Sequence, residues 1–367
     1  MVSIAEYIWL DGAKPTQALR SKSRMLQLNS DSPDITDFPD WGFDGSSTYQ
    51  ALGLQSDLVL KPVCFVPDPI RGVTHFLVLC EVFNADNVAH SSNTRATLRN
   101  VLELGGHAYE PWFGFEQEYV LFSDQAPLGW PHQGYPSPQG PFYCGVGAGK
   151  VYGRGIIEQH LSYCLDADLL IYGINAEVMP SQWEYQVGYR GFETDIVDAL
   201  TVCDHQWLAR WLLHRVAEEY GVKVSFDNKP VKGDWNGSGC HTNFSTNEMR
   251  TKGKGMAAIQ QAVDRLALHH VEHINVYGHG LAERLSGQHE TCSINEFRCG
   301  VSDRGASIRI PLPVSKQGYG YLEDRRPGAN ADPYLVAARL ISTICDIDPE
   351  NTVRVSKSSN KKMKSLA

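Results

Sequence analysis

The sequence predicts two domains: a small β-rich one at the N-terminus, and a larger one in which strands mix with long helices. Three observations carry this expectation. The chain has 367 residues, more than a single hydrophobic core usually serves. Three strand-like segments precede residue 93, and beyond it stretches of strand period alternate with long runs of helical period. The composition, 42% hydrophobic, 10% aromatic and 20% charged, is that of an ordinary globular chain rather than a disordered one.

In chain order, Ile4 to Leu10 and Ser23 to Leu28 alternate roughly, joined by a Gly/Pro-containing connection, and His75 to Phe83 is a more continuously apolar strand. Thr94 to Leu104 has helical period, with Thr94 as the expected N-cap and Gly105 and Gly106 as the stop. The boundary is therefore placed near residue 93, giving domains 1–93 and 94–367. Further helices are expected over Gly155 to Ala167, Asp195 to Tyr220, Met256 to Tyr277 and Pro333 to Cys345, the second halted by Gly221. Strands are expected over Phe113 to Phe122, Leu169 to Ile174, Trp183 to Gly188, Val222 to Phe226, Cys240 to Ser245 and Ala306 to Ile310. The Gly- and Pro-rich connection from Ser123 to Lys150 is long enough to suggest a functional loop, and the Ser/Lys-rich tail after Val355 reads as a frayed end.

The formal net charge of −9, with no basic run before the tail Lys357 to Lys364, argues against a nucleic-acid or anionic-membrane partner and leaves a cation-binding cleft open. No stretch approaches a membrane span, and Met1 to Gly12 lacks the basic start and apolar run of a signal peptide, so a cytoplasmic protein is expected. Nine cysteines, odd in number and without a CxxC pair, support neither a disulfide framework nor a zinc ribbon.

Four places carry chemistry. Alternation along Phe113 to Phe122 puts Glu116 and Glu118 on one face; a solvated strand face is the alternative reading of such a pair. In Asn175 to Gln186, Pro180 forbids a continuous helix between Glu177 and Glu184. Both glutamates sit among Val178, Met179, Trp183 and Tyr185, where an unpaired carboxylate is costly. In Gly237 to Ser245 the strand period groups His241, Asn243 and Ser245, with a satisfied core histidine as the alternative. In Tyr321 to Pro333, Glu323 and Arg325 share a face if the segment is extended, and a surface ion-pair cluster is the alternative there.

Brought together, these five glutamates and His241 would repel one another by on the order of several kcal/mol unless divalent cations neutralised them. Such ligands suit two hard-metal sites, with Mg²⁺ or Mn²⁺ favoured over zinc. Arg304, Arg309, Arg325 and Arg326 add guanidinium groups suited to phosphate oxygens, and metals with arginines are the parts of a phosphoryl-transfer site. Neither a P-loop nor a GxGxxG fingerprint is present, since Gly145 to Gly149 has the wrong spacing.

Seven motifs occur in one order: FDGSS at Phe43 to Ser47 followed by Gln55-Ser56-Asp57; E-x-E at Glu116; NAEVMP at Asn175 to Pro180; KPVKGDWNGSGCHTNFS at Lys229 to Ser245; HET at His289 to Thr291; RGASIRIP at Arg304 to Pro311; and EDRRP at Glu323 to Pro327. In these the chain resembles glutamine synthetases, and among them class II, the eukaryotic-type branch also found in some bacteria. The resemblance implies an α+β fold, with a small β-grasp-like N-terminal domain and a larger catalytic domain of curved antiparallel sheet and flanking helices. It also implies a homo-oligomer, a decamer of two pentameric rings, whose active sites lie between the N-terminal domain of one subunit and the catalytic domain of the next.

Residue by residue, the resemblance makes Glu118, Glu177 and Glu184 ligands of one metal and Glu116, His241 and Glu323 ligands of another. Asn236, Gly237 and Arg284 would hold L-glutamate, Arg304 and Arg309 would clamp the γ-phosphoryl group, and Arg325 would contact phosphate or substrate. Asn243, Ser245 and Tyr321 would join Glu116, Glu184, Arg304 and Arg309 in the ATP site. Glu290 would ride on a flap over glutamate, and Asp44 would receive ammonium. The implied reaction activates glutamate as γ-glutamyl phosphate, which ammonia then converts to glutamine. Asp234 and Ser238 stand where the family pattern leads one to expect Asn and Ala. Rival readings are a ligase for a larger amine, a guanidino kinase, a two-metal hydrolase, or a non-catalytic relative. Asp44 and Glu290 favour ammonia over a larger amine, and a non-catalytic relative would be expected to have lost one of the six ligands.

Overall fold

The structure, a computed structural model, describes residues 2–28, 32–131, 133 and 135–348, so the tail after Val355 lies outside the described residues. Five strands form the N-terminal sheet: β1 (Val2–Leu10), β2 (Leu19–Gln27), β3 (Trp41–Asp44), β4 (Asp57–Asp68) and β5 (Gly72–Phe83), in the order β2-β1-β5-β4-β3. β1 and β5 pair parallel and the other neighbours antiparallel. Phe76, Val78 and Val82 of β5 share one core with Tyr7, Trp9, Phe43 and Leu60. Leu77 and Leu79, on the opposite face of β5, join Ile8, Leu98 and Val101 in the main core. A strand covered on both faces must be apolar throughout, which accounts for the unbroken hydrophobic run there. Its one acidic side chain, Glu81, is buried at the junction and accepts from Arg95 and Arg99, each at 3.0 Å, while Arg95 also grips Asp204 at 2.8 Å. These ion pairs tie the small sheet to the helices of the larger domain.

β3 and β4 escape a periodicity reading for different reasons. β3 is only four residues long, and β4 contains Pro62 and Pro67, which are accommodated at register irregularities against β5.

The helices are α1 (Thr94–Glu103), α2 (Arg154–Asp166), α3 (Ala199–Glu219), α4 (Asn247–Arg250), α5 (Gly255–Leu268), α6 (His270–Ile274), α7 (Leu281–Arg284), α8 (Leu312–Gln317) and α9 (Pro333–Ile344). Asn93, not Thr94, caps α1, its side-chain oxygen accepting from the Ala96 amide at 3.0 Å. α3 starts later than expected because Asp198 takes the cap position, while Asp195 is held by the Arg190 guanidinium at 2.8 Å. The helix expected over Met256 to Tyr277 breaks at His269 into α5 and α6.

The larger sheet comprises β6 (Trp112–Ser123), β7 (Ala126–Pro127), β8 (Ile171–Ala176), β9 (Gln182–Val187), β10 (Lys223–Ser225), β11 (Cys240–Ser245), β12 (Cys299–Val301), β13 (Ile308–Ile310) and β14 (Leu322–Asp324). Its path is β12-β13-β14-β11-β6-β9-β8, with β7 and β10 also pairing β6. Among the described pairings of this sheet only β12 and β13 run parallel. Phe113, Phe115 and Tyr119 of β6 pack with Tyr185 and with Leu208 and Leu212 of α3. The alternate residues of β6 therefore face away from the core, and that face carries the site. No helix among the described residues is long and apolar enough to cross a membrane.

Candidate active site

Register builds the site. Glu118 of β6 stands opposite Glu184 of β9, and Glu116 stands between His241 of β11 and Gln186 of β9. Glu323 of β14 lies between Asn243 of β11 and Arg309 of β13. Side chains directly across an antiparallel pair are near neighbours, so five of the six expected ligands meet through strand pairing alone. The sixth, Glu177, follows β8 in the β8–β9 turn, where Pro180 prevents a helix as expected. Glu116, Glu118, Glu177, Glu184 and His241 line one cavity of about 500 Å³ together with Asn236, Gly237, Arg284, Glu290, Arg304, Arg309 and Arg325.

Two ligand groups are preformed: atoms of Glu116, His241 and Glu323 lie within 4.8 Å of one another, as do atoms of Glu118, Glu184 and His241. Glu177 shares the cavity, but His241 rather than Glu177 completes the second group; the Glu177 carboxylate accepts from Asn175 Nδ2 at 2.8 Å. Glu118 accepts from the Gly239 amide at 2.8 Å, and Glu184 from Gln186 Nε2 at 2.5 Å.

The electrostatics fit a cation. Burial, reinforced by Glu116, Glu118 and Glu177, pushes the Glu184 carboxyl up to about 9. Burial and Glu118 push Glu177 up to about 8. Glu118 is raised as well, by burial, against the opposing pull of Arg284. Carboxylates that disfavour one another's charge in this way are the donor set a hard divalent ion neutralises. Burial and the Arg325 charge drive the His241 pKa far down, which keeps the imidazole neutral, as a ligand must be. Arg284 donates to His241 Nε2 at 3.0 Å, so the other ring nitrogen faces Glu116 and Glu323, at 3.6 and 3.7 Å.

Arg309 and Arg325 both bind Glu323, the latter at 2.6 Å. Arg325 also donates to the Arg304 carbonyl at 2.9 Å, while the Arg304 side chain is exposed at the cavity wall. Arg326 is a correction to the sequence expectation. Two residues past the end of β14, it lies on the same side as Asp324, where it is 1% exposed and bound to Asp324 at 2.7 Å, so it is a structural ion pair and not part of the phosphate set.

Asn243, Ser245 and Tyr321 line a neighbouring cavity of about 420 Å³ with Trp112, Tyr172, Tyr189, Arg250 and Tyr319. Asn243 links the two cavities, donating to Glu116 at 2.9 Å. The aromatic walls went unrecognised in the sequence because they come from five separate segments. Asp44 is the one expected catalytic residue that does not line the cavity. It ends β3 on the exposed face of the small domain and accepts from the Ser46 amide at 2.9 Å and from the Ser46 and Ser47 hydroxyls at 2.6 and 2.7 Å. Those bonds, with the Ser46 hydroxyl foremost, pull its carboxyl down to about 2.

The comparisons with known proteins agree with this geometry. The family model described as glutamine synthetase, catalytic domain, matches residues 91–358, and that described as glutamine synthetase, beta-Grasp domain, matches residues 1–85. The chain belongs to the glutamine synthetase family. A chloroplastic glutamine synthetase of Chlamydomonas reinhardtii is 53% identical over 350 residues, covering 93% of this chain and 90% of the relative. A glutamine synthetase of Streptomyces viridochromogenes is 54% identical over 93% of this chain and 96% of its own. One from Saccharomyces cerevisiae is 52% identical over 93% and 89%. These glutamine synthetases come from an alga, a bacterium and a yeast, in keeping with a eukaryotic-type branch that reaches into bacteria.

Proposed function

We infer that the chain ligates ammonia to the side-chain carboxylate of L-glutamate with ATP, through γ-glutamyl phosphate, giving glutamine, ADP and phosphate. The observation that carries this reading is the cross-strand row of acidic ligands facing arginines in one cavity, with an aromatic cavity next to it. A carboxylate oxygen is a poor leaving group, so it must first be phosphorylated. That step calls for dense positive charge around the transferred group.

The roles follow. Mg²⁺ or Mn²⁺ held by Glu118, Glu177 and Glu184, and by Glu116, His241 and Glu323, would neutralise phosphate oxygens. Arg284, with Asn236 and Gly237, holds glutamate; Arg309 and Arg304 meet the γ-phosphoryl group, and Arg325 contacts phosphate or substrate. Tyr321, Ser245 and Asn243 place the nucleotide base among aromatic rings, which stack on any base. Glu290 closes over the acyl phosphate and keeps water out.

Asp44 serves the neighbouring subunit in an oligomer of two pentameric rings. The exposure of Tyr49, Leu52 and Leu54 in the loop that follows Asp44 supports this, since clustered apolar side chains at a surface favour a partner. A cytoplasmic setting belongs to the same reading and is supported by nine unpaired cysteines.

Titrating γ-glutamyl hydroxamate formation against each divalent metal tests the function. Product should appear only with ATP, glutamate and a metal together. Equal product in excess chelator would refute the metal assignment, and ATP hydrolysis without any amide product would refute the ligase.

Arg309→Lys keeps the charge but loses the guanidinium fork. Turnover is expected to fall by on the order of 10²-fold, with nucleotide affinity changed much less. Equal losses in kcat and in nucleotide binding would assign Arg309 to ground-state binding instead.

A further inference from the structure

Three loops meet over the amino-acid end of the cavity. The first is the Gly/Pro-rich connection, represented by Gln139; the second leads into β11 and carries Asp234 and Asn236; the third is the flap with His289 and Glu290. Gly140 donates its amide to the Val178 carbonyl at 2.8 Å, so Gln139 is fixed beside the turn that bears Glu177. Trp235 packs against Trp130 with ring centroids 5.2 Å apart, which joins the first two loops. The third is joined to them through His289.

The imidazole is engaged at both nitrogens. Nε2 lies 3.1 Å from the Asp234 carboxylate, and Nδ1 lies 3.1 Å from Gln139 Nε2. Gln139 Oε1 in turn accepts from the Asn236 backbone amide at 2.8 Å. That amide can only donate, so it fixes the oxygen of Gln139 toward itself and the NH₂ toward His289. Nδ1 must therefore accept, which places the ring proton on Nε2, where Asp234 accepts it. One tautomer of a neutral imidazole satisfies the whole chain, and at its far end is Asn236, assigned above to glutamate binding.

The flap needs such a hold. His289 and Glu290 both have left-handed backbone, with φ of 52° and 59°, a conformation non-glycine residues keep only when their surroundings impose it. The Asp234 side chain is 97% exposed, so its charge adds little through water. The half-buried Gln139 bond is the stronger restraint.

We propose that His289 is a positioning residue: clasped between Gln139 and Asp234, it holds the flap down so that Glu290 faces the cavity and water is kept from γ-glutamyl phosphate. This rests on the reading of the cavity as a glutamine-forming site. When the clasp opens, water replaces ammonia. Its oxygen bonds to the acyl carbon and gives up its protons to the departing phosphate and to solvent, the bond to the phosphate oxygen breaks, phosphate leaves with the electron pair, and glutamate returns with ATP consumed.

The measurement is ADP formed per glutamine by the whole enzyme at saturating ammonium. Wild type and Asp234→Asn, whose amide oxygen still accepts from Nε2, should make one ADP per glutamine. His289→Ala and Gln139→Leu should raise that ratio about threefold to tenfold, the scale of one or two lost hydrogen bonds. Asp234→Ala, altered only at an exposed side chain and so expected to fold normally, should raise it less but measurably above Asp234→Asn. A ratio that stays at one in all the variants overturns the clasp, even if their rates fall, because a merely structural loss lowers both products together. A wild type that makes no glutamine would instead refute the underlying function.

Discussion

Glu184→Gln is expected to lower turnover by on the order of 10³-fold through loss of metal-borne charge stabilisation, while the metal-free protein becomes no less stable. Glu184 faces Glu118 across the β6–β9 pair and is buried beside Glu116 and Glu177, so its charge is unfavourable until a cation arrives. The sign follows from linkage. A carboxyl raised to about 9 in the fold and near its ordinary value when unfolded binds more protons in the folded state across that interval. Stability of the metal-free protein therefore falls as pH rises from about 4.5 toward about 9. Glutamine has no charge to protonate, so the variant should lose this contribution to the slope and melt at or above wild type at the alkaline end. Added divalent metal should raise the wild-type Tm and raise the variant's much less. Thermal unfolding across this pH range in chelator, repeated with metal, reads both effects. A sharp drop in metal-free Tm with unchanged metal affinity would mean that Glu184 is structural.

The acidic face of β6 was legible because strand alternation is local. Once Phe113 to Phe122 is read as a strand, Glu116 and Glu118 must share a face, and no distant information is needed. The rows across the sheet were not legible from spacing, because register between β6, β9, β11 and β14 is set by turns and by a core that no single segment encodes. The resemblance supplied the grouping of the glutamates; strand pairing brings Glu116, Glu118, Glu184, His241 and Glu323 together, while Glu177 enters from the β8–β9 turn. Arg325 and Arg326 show the limit. They differ by one position, and only the observed course of the chain just past β14 tells that one faces the cavity while the other pairs with Asp324 in the core.

Helix starts shifted for a related reason. Asn93 and Thr94 are adjacent residues of similar capping ability, and Asp195, expected to open α3, is instead taken up by Arg190 while Asp198 caps the helix. The short strands β3, β12 and β14 are held by pairing rather than by any period of their own. The aromatic cavity draws on residues from Trp112 to Tyr321, and aromatic side chains scattered over that span resemble ordinary core until the fold collects them.

Asp44→Asn is expected to depress the reaction with ammonia by on the order of 10²-fold, the scale of losing a charge-assisted hydrogen bond to the bound cation. The reaction with hydroxylamine should fall far less. Phosphorylation of glutamate needs the arginines and metal ligands, none of which Asp44 touches, and hydroxylamine reaches the acyl phosphate already neutral. Ammonium does not; it must be bound as a cation and lose a proton. With its carboxyl held at about 2 by Ser46 and Ser47, Asp44 stays an anion at any working pH. Such an acidic carboxylate attracts a cation well and stores a proton poorly, so the variant tests capture of the cation rather than transfer of its proton. Asparagine keeps an oxygen for the Ser46 amide and hydroxyl, so the loop from Gly45 to Thr48 should survive while the charge is lost; alanine would remove both. Because Asp44 lies away from its own subunit's cavity, mixed oligomers of the Asp44→Asn and Glu184→Gln chains should regain ammonia-dependent activity at sites that combine one chain's Asp44 with the other's Glu184. If both nucleophiles slow by the same factor, Asp44 serves its loop or a subunit contact, and ammonium is bound elsewhere. If the mixed oligomers stay inactive while each chain still assembles, the site is not shared between subunits, and the exposed Tyr49, Leu52 and Leu54 face some other partner.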